Sequence, residues 1–469
     1  MLSFMLTLAS TLGMLALTSA SVRYISQHLA EGKEDEARSV IGRVLQISAI
    51  TSFVIAVALL SLAGWFSSIF DSSILIFQLL PIAAVLQVFY MQIQGFLQGL
   101  QKLRTLALIS IAYTLVQYSV AIALVYLGLG VLGIVASWLL ALSLSCAISF
   151  LATSRYIGVS RQVYRLKPLL AFSFPLYVSA ILAFVVNWVD QIFVIPFMGL
   201  EALGVYSIAV RASIVPNLVS SAIAVSLFPK MTELHSRSGV ESLRDAFKTS
   251  TRYGALLGFP MALLVATLAY PIIVLFATVR FTEAAIPLAF MCLASLPTVL
   301  GLAISPVLLT LRKTRTAAII TVSTIFLEAV LLSALLMYAN LGLGGVALAR
   351  FFAALAGFFL GAYVLRATIT VEFDREAVWK SAAASTVMVS SLFGLEFIRS
   401  IFEFSSYEFL VLRLRLLPVY TIVGIAVYLL SLIALRALKK RDVDLLREYL
   451  PRRLRSAADL LGRTVRARG

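Results

Sequence analysis

VRYISQHLAEGKEDEARSVIGR, Val22 to Arg43, is a charged stretch between two apolar runs, and it returns later as FPKMTELHSRSGVESLRDAFKTSTR, Phe228 to Arg252. The chain's two histidines, His28 and His235, hold the same place in the two copies. So do Arg23 and Lys230, Gly32 and Gly239, and Glu34 and Glu241. Each copy follows an apolar segment of spanning length and precedes another, which makes it a charged amphipathic connector between membrane helices. Further along, GFLQGLQKLRTLALI (Gly95 to Ile109) aligns with PVLLTLRKTRTAAII (Pro306 to Ile320), laying Lys102 and Arg104 on Lys313 and Arg315. The turns LGLG beginning at Leu127 and at Leu341 correspond as well. The chain is a duplication.

Composition says what kind. Over 469 residues, 61% are hydrophobic and 13% charged, with a mean hydropathy of +1.00. A soluble core cannot hide that much apolar surface, so most of the chain faces lipid. Thirteen apolar runs follow one another from Leu2–Ser21 to Leu414–Leu435. Each supplies roughly the 20 residues that cross a hydrocarbon core at about 1.5 Å per residue. Cys146 and Cys292 lie inside such runs and are expected to be buried apolar side chains rather than a disulfide or metal site.

Lys and Arg crowd into alternate connections: Arg23 to Arg43, Lys102 and Arg104, Arg155 to Lys167, Arg312 to Arg315, and the tail. The other connections are nearly free of them. The positive-inside rule makes the basic set cytoplasmic, with the C-terminus inside a plasma membrane. Both copies then run the same way through the bilayer, as parallel repeats related by an axis along the membrane normal. The expected fold is an all-α polytopic membrane protein of two parallel six-helix repeats plus two C-terminal helices. The expected organisation is an N-terminal lobe of five helices (1–153), a basic connector (154–168), a six-helix lobe (169–367), two further spans (368–435) and a basic tail (436–469). The second repeat begins with Leu169–Pro196, whose counterpart would precede residue 1. The repeat offset therefore predicts a first helix, about 40 residues with its flanks, that this sequence lacks; the alternative is a five-plus-six arrangement with its N-terminus outside.

Ionisable residues inside spans are the functional candidates, because each is costly in lipid and should face protein or water. Asp190 and Arg211 stand on the two arms of a helical hairpin turning at Gly199 to Leu203, about equally far from the turn. They are expected to pair, either as a structural ion pair or as the lining of a site for phosphate or a coupling cation. Glu328 sits near the membrane midplane where the first repeat has Gln117, so this acid is peculiar to one lobe; it is expected to be a hydrogen-bonded structural acid, with proton coupling as the second reading. Arg350 enters from the outer side on the next helix. Arginine forks match phosphate oxygens, which makes Arg211 and Arg350 headgroup candidates. Arg43 and Arg252, at the inner mouths of equivalent helices, are expected to be solvated anchors, with headgroup capture as the second reading. Glu396 and Arg399, spaced i, i+3, can satisfy each other. The histidines are expected to be exposed surface residues.

The pattern of apolar helix, Arg, long charged connector with Ala-Arg, and apolar helix resembles the polysaccharide and oligosaccharide-lipid flippases. These belong to the multidrug/oligosaccharidyl-lipid/polysaccharide exporter superfamily, with the multidrug and toxin exporters and the lipid II flippase. Asn187, Asp190, Gly199, Gly204, Tyr206 and Ala209, within NWVDQIFVIPFMGLEALGVYSIA, resemble that family's signature at the start of the second half. The resemblance implies a two-lobed transporter of alternating access. It would move a polyprenyl-phosphate-linked or diphosphate-linked oligosaccharide from the inner to the outer leaflet, driven by a proton or sodium gradient. Asn187 joins Asp190 and Glu328 as an ion-coupling candidate. No cofactor beyond the coupling H+ or Na+ is implied. The implied partners are membrane lipid, the lipid-linked oligosaccharide, and the polymerase or glycosyltransferases that handle the same glycan.

The tail Arg436 to Gly469 carries eleven Lys or Arg against four acids. Its leucines suggest short amphipathic pieces on anionic lipid headgroups. Nucleic acid is not the expected partner, since only Tyr449 offers a stacking ring among these charges. An enzyme acting on lipid-linked sugars would need paired carboxylates, a metal cluster or an activated nucleophile, usually in a sizeable loop. The outer connections are short, and no Gly-rich phosphate loop or Cys/His ligand spacing occurs. The Gly-and-Asp-Arg connector of major-facilitator carriers is absent from Val22 to Arg43. A cation-coupled drug exporter of the same superfamily remains the alternative, kept by Asp190 and Glu328.

Overall fold

The computed structural model describes residues 1–156, 164–311, 313–339, 341–401, 416–438 and 442, and leaves aside the side chains of 219–226, 228–230, 232–238 and 398–401. The tail beyond Asp442, the side chains of Lys230, His235 and Arg399, and part of the basic connector therefore lie outside the described residues. Every regular element among the described residues is helical. The chain packs as two compact units, Met1–Trp188 and Val189–Gly469, so the division falls inside a helix rather than in the basic connector before it.

In the first unit lie α1 (Leu2–Met14), α2 (Leu17–Ala30), α3 (Glu34–Ser61), α4 (Ala63–Ile69), α5 (Ile74–Gly99), α6 (Leu103–Leu124), α7 (Gly130–Thr153) and the start of α8 (Leu166–Ala212). That start belongs with this unit for packing reasons. Leu169 is buried with Leu17, Ala20 and Ile25 of α2 and with Val40 and Val44 of α3, and the Tyr24 hydroxyl donates to the Pro168 carbonyl at 3.3 Å. Gly95 and Gly99, one turn apart on α5, let α2 come close. A Cβ on Gly95 would stand 2.6 Å from Thr18 Cγ2, the small-residue contact that membrane helices use in place of a hydrophobic driving force.

The span made by α1 and α2 is bent by 44°, because Leu15 and Ala16 adopt left-handed backbone angles. A break inside a membrane span frees carbonyls, and these find side-chain donors. Thr51 Oγ1 donates to the Gly13 carbonyl at 2.8 Å. Gln92 Nε2 donates to the Met14 carbonyl at 3.3 Å, and Gln92 Oε1 in turn accepts from Thr18 Oγ1 at 2.9 Å.

The second unit holds the rest of α8, α9 (Ile214–Thr267), α10 (Ala269–Ala277), α11 (Ala285–Leu300), α12 (Ile304–Thr310), α13 (Thr314–Met337), α14 (Gly342–Thr368), α15 (Arg375–Ile401) and α16 (Leu417–Ala434). Close contact again runs through paired small residues. A Cβ on Gly258 would stand 2.6 Å from Val299 of α11, and Gly254 meets the same residue. The last two helices pack against α9, where Leu256 is buried with Met388 and Leu392 of α15 and Tyr428 and Leu432 of α16. The Tyr428 hydroxyl donates to the Leu256 carbonyl at 2.8 Å.

The duplication is visible in backbone angles. Gly32 and Gly239, equivalent in the charged connectors, have φ of 73° and 69°. Lys102 and Lys313 precede α6 and α13 with φ/ψ of −81°/52° and −87°/52°. Their amides donate to Leu97 and Leu308 at 2.9 and 2.8 Å. Among the described residues, eight helices are long and apolar enough to span a membrane, or ten if each bent pair counts once, against the thirteen expected over the full chain. Two counted stretches, Leu103–Tyr156 and Leu166–Leu218, exceed fifty residues and contain glycines with non-helical angles, Gly128 and Gly199.

Candidate functional site

Asp190 and Tyr206 are sixteen residues apart on α8, roughly 24 Å along a straight helix. Yet the Tyr206 hydroxyl donates to Asp190 Oδ2 at 2.7 Å. The helix must therefore reverse, and it does so at Gly199, whose φ of 84° and ψ of −178° lie in a region open almost only to glycine. Arg350 Nη1 of α14 reaches the same carboxylate oxygen at 2.6 Å. The Gln191 amide donates to Oδ1 at 2.8 Å. Asp190 is fully buried, while the Arg350 side chain keeps 28% of its exposure. Glu328 of α13 is buried, and its Oε1 has no hydrogen-bond partner. It lies close enough to Arg350 and Asp190 for both charges to act on it.

These groups come from both arms of α8 and from α13 and α14, at similar depth. Counting from Gly199, from Gly342 and from the end of α13, each lies roughly 10–14 Å from the nearest turn on one side of the bilayer. The site thus sets two carboxylates against one guanidinium inside apolar spans. Among the described residues, no group of three or more His, Cys, Asp or Glu is placed to hold a metal ion.

The pairing of Asp190 with Arg211 is not made. The reversal sits at Gly199 itself, so Arg211, twelve residues beyond it, lies deeper than Asp190, nine before it, while Tyr206 comes nearly level. Arg211 is exposed and makes no ion pair among the described residues. Asn187 is exposed as well, and its amide donates back to the Ala183 carbonyl at 2.7 Å.

Arg252 is not solvated. It is 6% exposed and enclosed by Asp374 at 3.3 Å, by Asp442, to which it is bidentate, and by the Ala437 carbonyl at 2.7 Å. Asp374 also caps α15, accepting from the Ala377 amide at 3.0 Å. Arg252 therefore anchors the entry to α15 and the start of the tail, its guanidinium taken up by these partners. Arg43 donates to Gln46 Oε1 at 3.1 Å, and its buried Nε has no partner.

His28 is also buried rather than exposed. Its Nδ1 lies 3.0 Å from Glu36 and its Nε2 lies 3.3 Å from the Tyr164 hydroxyl. Glu396 borders a small cavity with Thr267, Pro271 and Tyr420. Cys146 and Cys292 are both free thiols.

Sequence reasoning did not assign roles to Tyr206, Asp374 or Asp442. Tyr206 was within reach of it, since it stands as far beyond Gly199 as a partner of Asp190 should. Asp374 and Asp442 were not, because no repeat or spacing connects them to Arg252.

Long apolar helices, a duplicated connector and a charged cluster inside the spans define a polytopic α-helical membrane protein of the transporter type. Its fold is shared with solved transporters of the MOP superfamily. It is similar to a structure of the lipid II flippase MurJ in an inward closed conformation, with 17% identity over 92% of each chain and a TM-score of 0.68. It is also similar to an inward-facing multidrug resistance MATE family transporter, with 18% identity over 79% of this chain and 90% of that one, TM-score 0.66. A MOP superfamily transporter from Pyrococcus furiosus matches at 18% identity over 78% and 86%, TM-score 0.55. No curated protein matches by sequence. Residues 15–286 match the polysaccharide biosynthesis protein family, and the chain belongs to that family.

Proposed function

We propose that this protein is a flippase that carries a polyprenyl-phosphate-linked or diphosphate-linked oligosaccharide from the inner to the outer leaflet of the plasma membrane by alternating access, with its C-terminus in the cytoplasm. The observation that carries this reading is Arg211, a permanent positive charge within a candidate span, exposed and without an ion pair among the described residues. Such a charge calls for a water-filled surface and an anionic ligand, and its planar fork suits phosphate oxygens. Arg43 is the second headgroup candidate. Arg350 is engaged with Asp190 and becomes available only when that pair opens.

The cluster supports coupling to a cation. With both carboxyls ionised, Asp190 and Glu328 would carry one more negative charge than Arg350 balances, so a proton or a sodium ion bound there offsets a burial cost. Family membership in polysaccharide biosynthesis supports a glycan cargo. The same excess of acid favours the alternative, a cation-coupled drug exporter.

The test is reconstitution into vesicles with a fluorescent polyprenyl-diphosphate oligosaccharide and an outside quencher. Protein-dependent quenching that follows an imposed proton or sodium gradient, and that Arg211→Gln abolishes, is expected. Failure to move this lipid together with transport of a cationic dye assigns the protein to the exporters.

A further inference from the structure

One face of α5 changes character along its length. Ile76, Leu80 and Ala83 are buried, and Leu80 and Ala83 sit in the unit's own apolar core. Continuing at the same helical spacing come Gln87, Met91, Gln94 and Gln98, so three glutamines flank one exposed methionine. The glutamines therefore form a stripe roughly 16 Å long that ends beside Lys102, at the basic end of the span. Neighbouring faces of α5 are occupied. Gly95 and Gly99 meet α2, Tyr90 stacks on Tyr113 of α6 at 5.0 Å, and Cys146 of α7 donates to the Leu86 carbonyl.

The amides of this stripe differ from that of Gln92, which is spent on the α1–α2 break. Gln87 Oε1 and both amide atoms of Gln94 are buried without any hydrogen-bond partner, and Gln98 is exposed. Buried amides left unmatched in a membrane span are costly, and native structures supply a partner for nearly all such groups. The partner's chemistry follows from theirs. Each amide both donates and accepts, and the stripe holds no charge and no aromatic ring. A phosphate would call for a cation, and a cationic drug for acids or aromatic faces. A neutral polyhydroxylated ligand, each of whose hydroxyls donates and accepts, fits.

Resting on the flippase reading above, we propose that the Gln87–Gln94–Gln98 stripe of the first unit binds the sugar hydroxyls of the lipid-linked glycan. The lipid phosphate is held elsewhere, by arginine. The stripe runs from the basic end of α5 towards mid-membrane, where Ala83, Leu80 and Ile76 replace the glutamines on the same face, so it receives a glycan from the inner side.

The experiment compares the affinities of two probes for the full chain in nanodiscs: polyprenyl diphosphate carrying a saccharide, and bare polyprenyl diphosphate. Wild type, Gln87→Leu, Gln94→Leu and, as a control off the stripe, Gln78→Leu are each checked for monodispersity and thermal unfolding. Stripe variants should bind the saccharide-bearing lipid about three- to tenfold more weakly, the loss of one or two neutral hydrogen bonds, with bare-lipid affinity unchanged. Equal losses for both lipids, or unchanged affinity for both, overturn the stripe proposal and leave the flippase reading standing. A wild-type protein that binds neither lipid overturns the flippase reading, and this inference with it. Should Gln94→Leu fail to fold, Gln94→Glu serves, and must then discriminate between the two lipids in the same direction.

Discussion

Removing Arg350 should cost the protein more than removing the acid it pairs with. Asp190 is fully buried, and in Arg350→Gln it keeps only the Tyr206 hydroxyl and the Gln191 amide. Its carboxylate would also lie near the Glu328 carboxyl with no base between them. Breaking a buried pair in this way costs about 3–5 kcal/mol. In Asp190→Asn the guanidinium, 28% exposed, keeps access to solvent and to Glu328, whose Oε1 is unpartnered. The loss is then that of a charge-assisted hydrogen bond, about 1.5–3 kcal/mol. The double variant removes both charges and should fall short of the sum by about 1–3 kcal/mol, the coupling expected of contacting residues. Equilibrium unfolding in detergent, followed by helical circular dichroism, reads all three. An Asp190→Asn loss equal to or greater than that of Arg350→Gln would show that Asp190 is not stranded when Arg350 is removed, and additive losses would show that the pair is not a unit.

Glu328→Gln should flatten the pH dependence of transport in the vesicle assay while leaving substrate binding in place, and an unchanged profile would take Glu328 out of coupling. Gln92→Leu should destabilise the first unit by about 1–3 kcal/mol, because the Met14 carbonyl and the Thr18 hydroxyl lose their partner in a dry environment. Proteolysis or hydrogen exchange that leaves the α1–α2 break unaffected would contradict this. Gly258→Ala places a methyl 2.6 Å from Val299 and should cost about 1–3 kcal/mol by overpacking. Adding Val299→Ala should recover most of that loss, and a double variant no better than the single one would rule out the clash.

Much of the architecture was legible in the chain because bilayer physics leaves few solutions. An apolar run of spanning length has to be a helix, and a charged stretch repeated with its histidine and glycine in place has to be a repeated connector. Gly32 and Gly239, and likewise Lys102 and Lys313, bear this out in their matching backbone angles. Residue types also marked the candidates, since an ionisable group in a span needs a reason to be there. Class, duplication and the singling out of Asp190, Glu328 and Arg350 could all be read from the chain alone.

Partnership was decided only by tertiary structure. Whether Asp190 met Arg211 or Arg350 depended on where the hairpin turned, and a shift of that turn to Gly199 moved Arg211 out of reach and brought Tyr206 level. Arg43 and Arg252 are similar in the sequence, yet one bonds a neighbouring glutamine and the other is closed in by Asp374 and Asp442. Hydropathy fixes how deep a residue lies in the bilayer, because burial in lipid depends on one segment at a time. It carries no information about which helix faces which. That is set by packing between small residues such as Gly95, Gly254 and Gly258, and it exists only once the helices have come together.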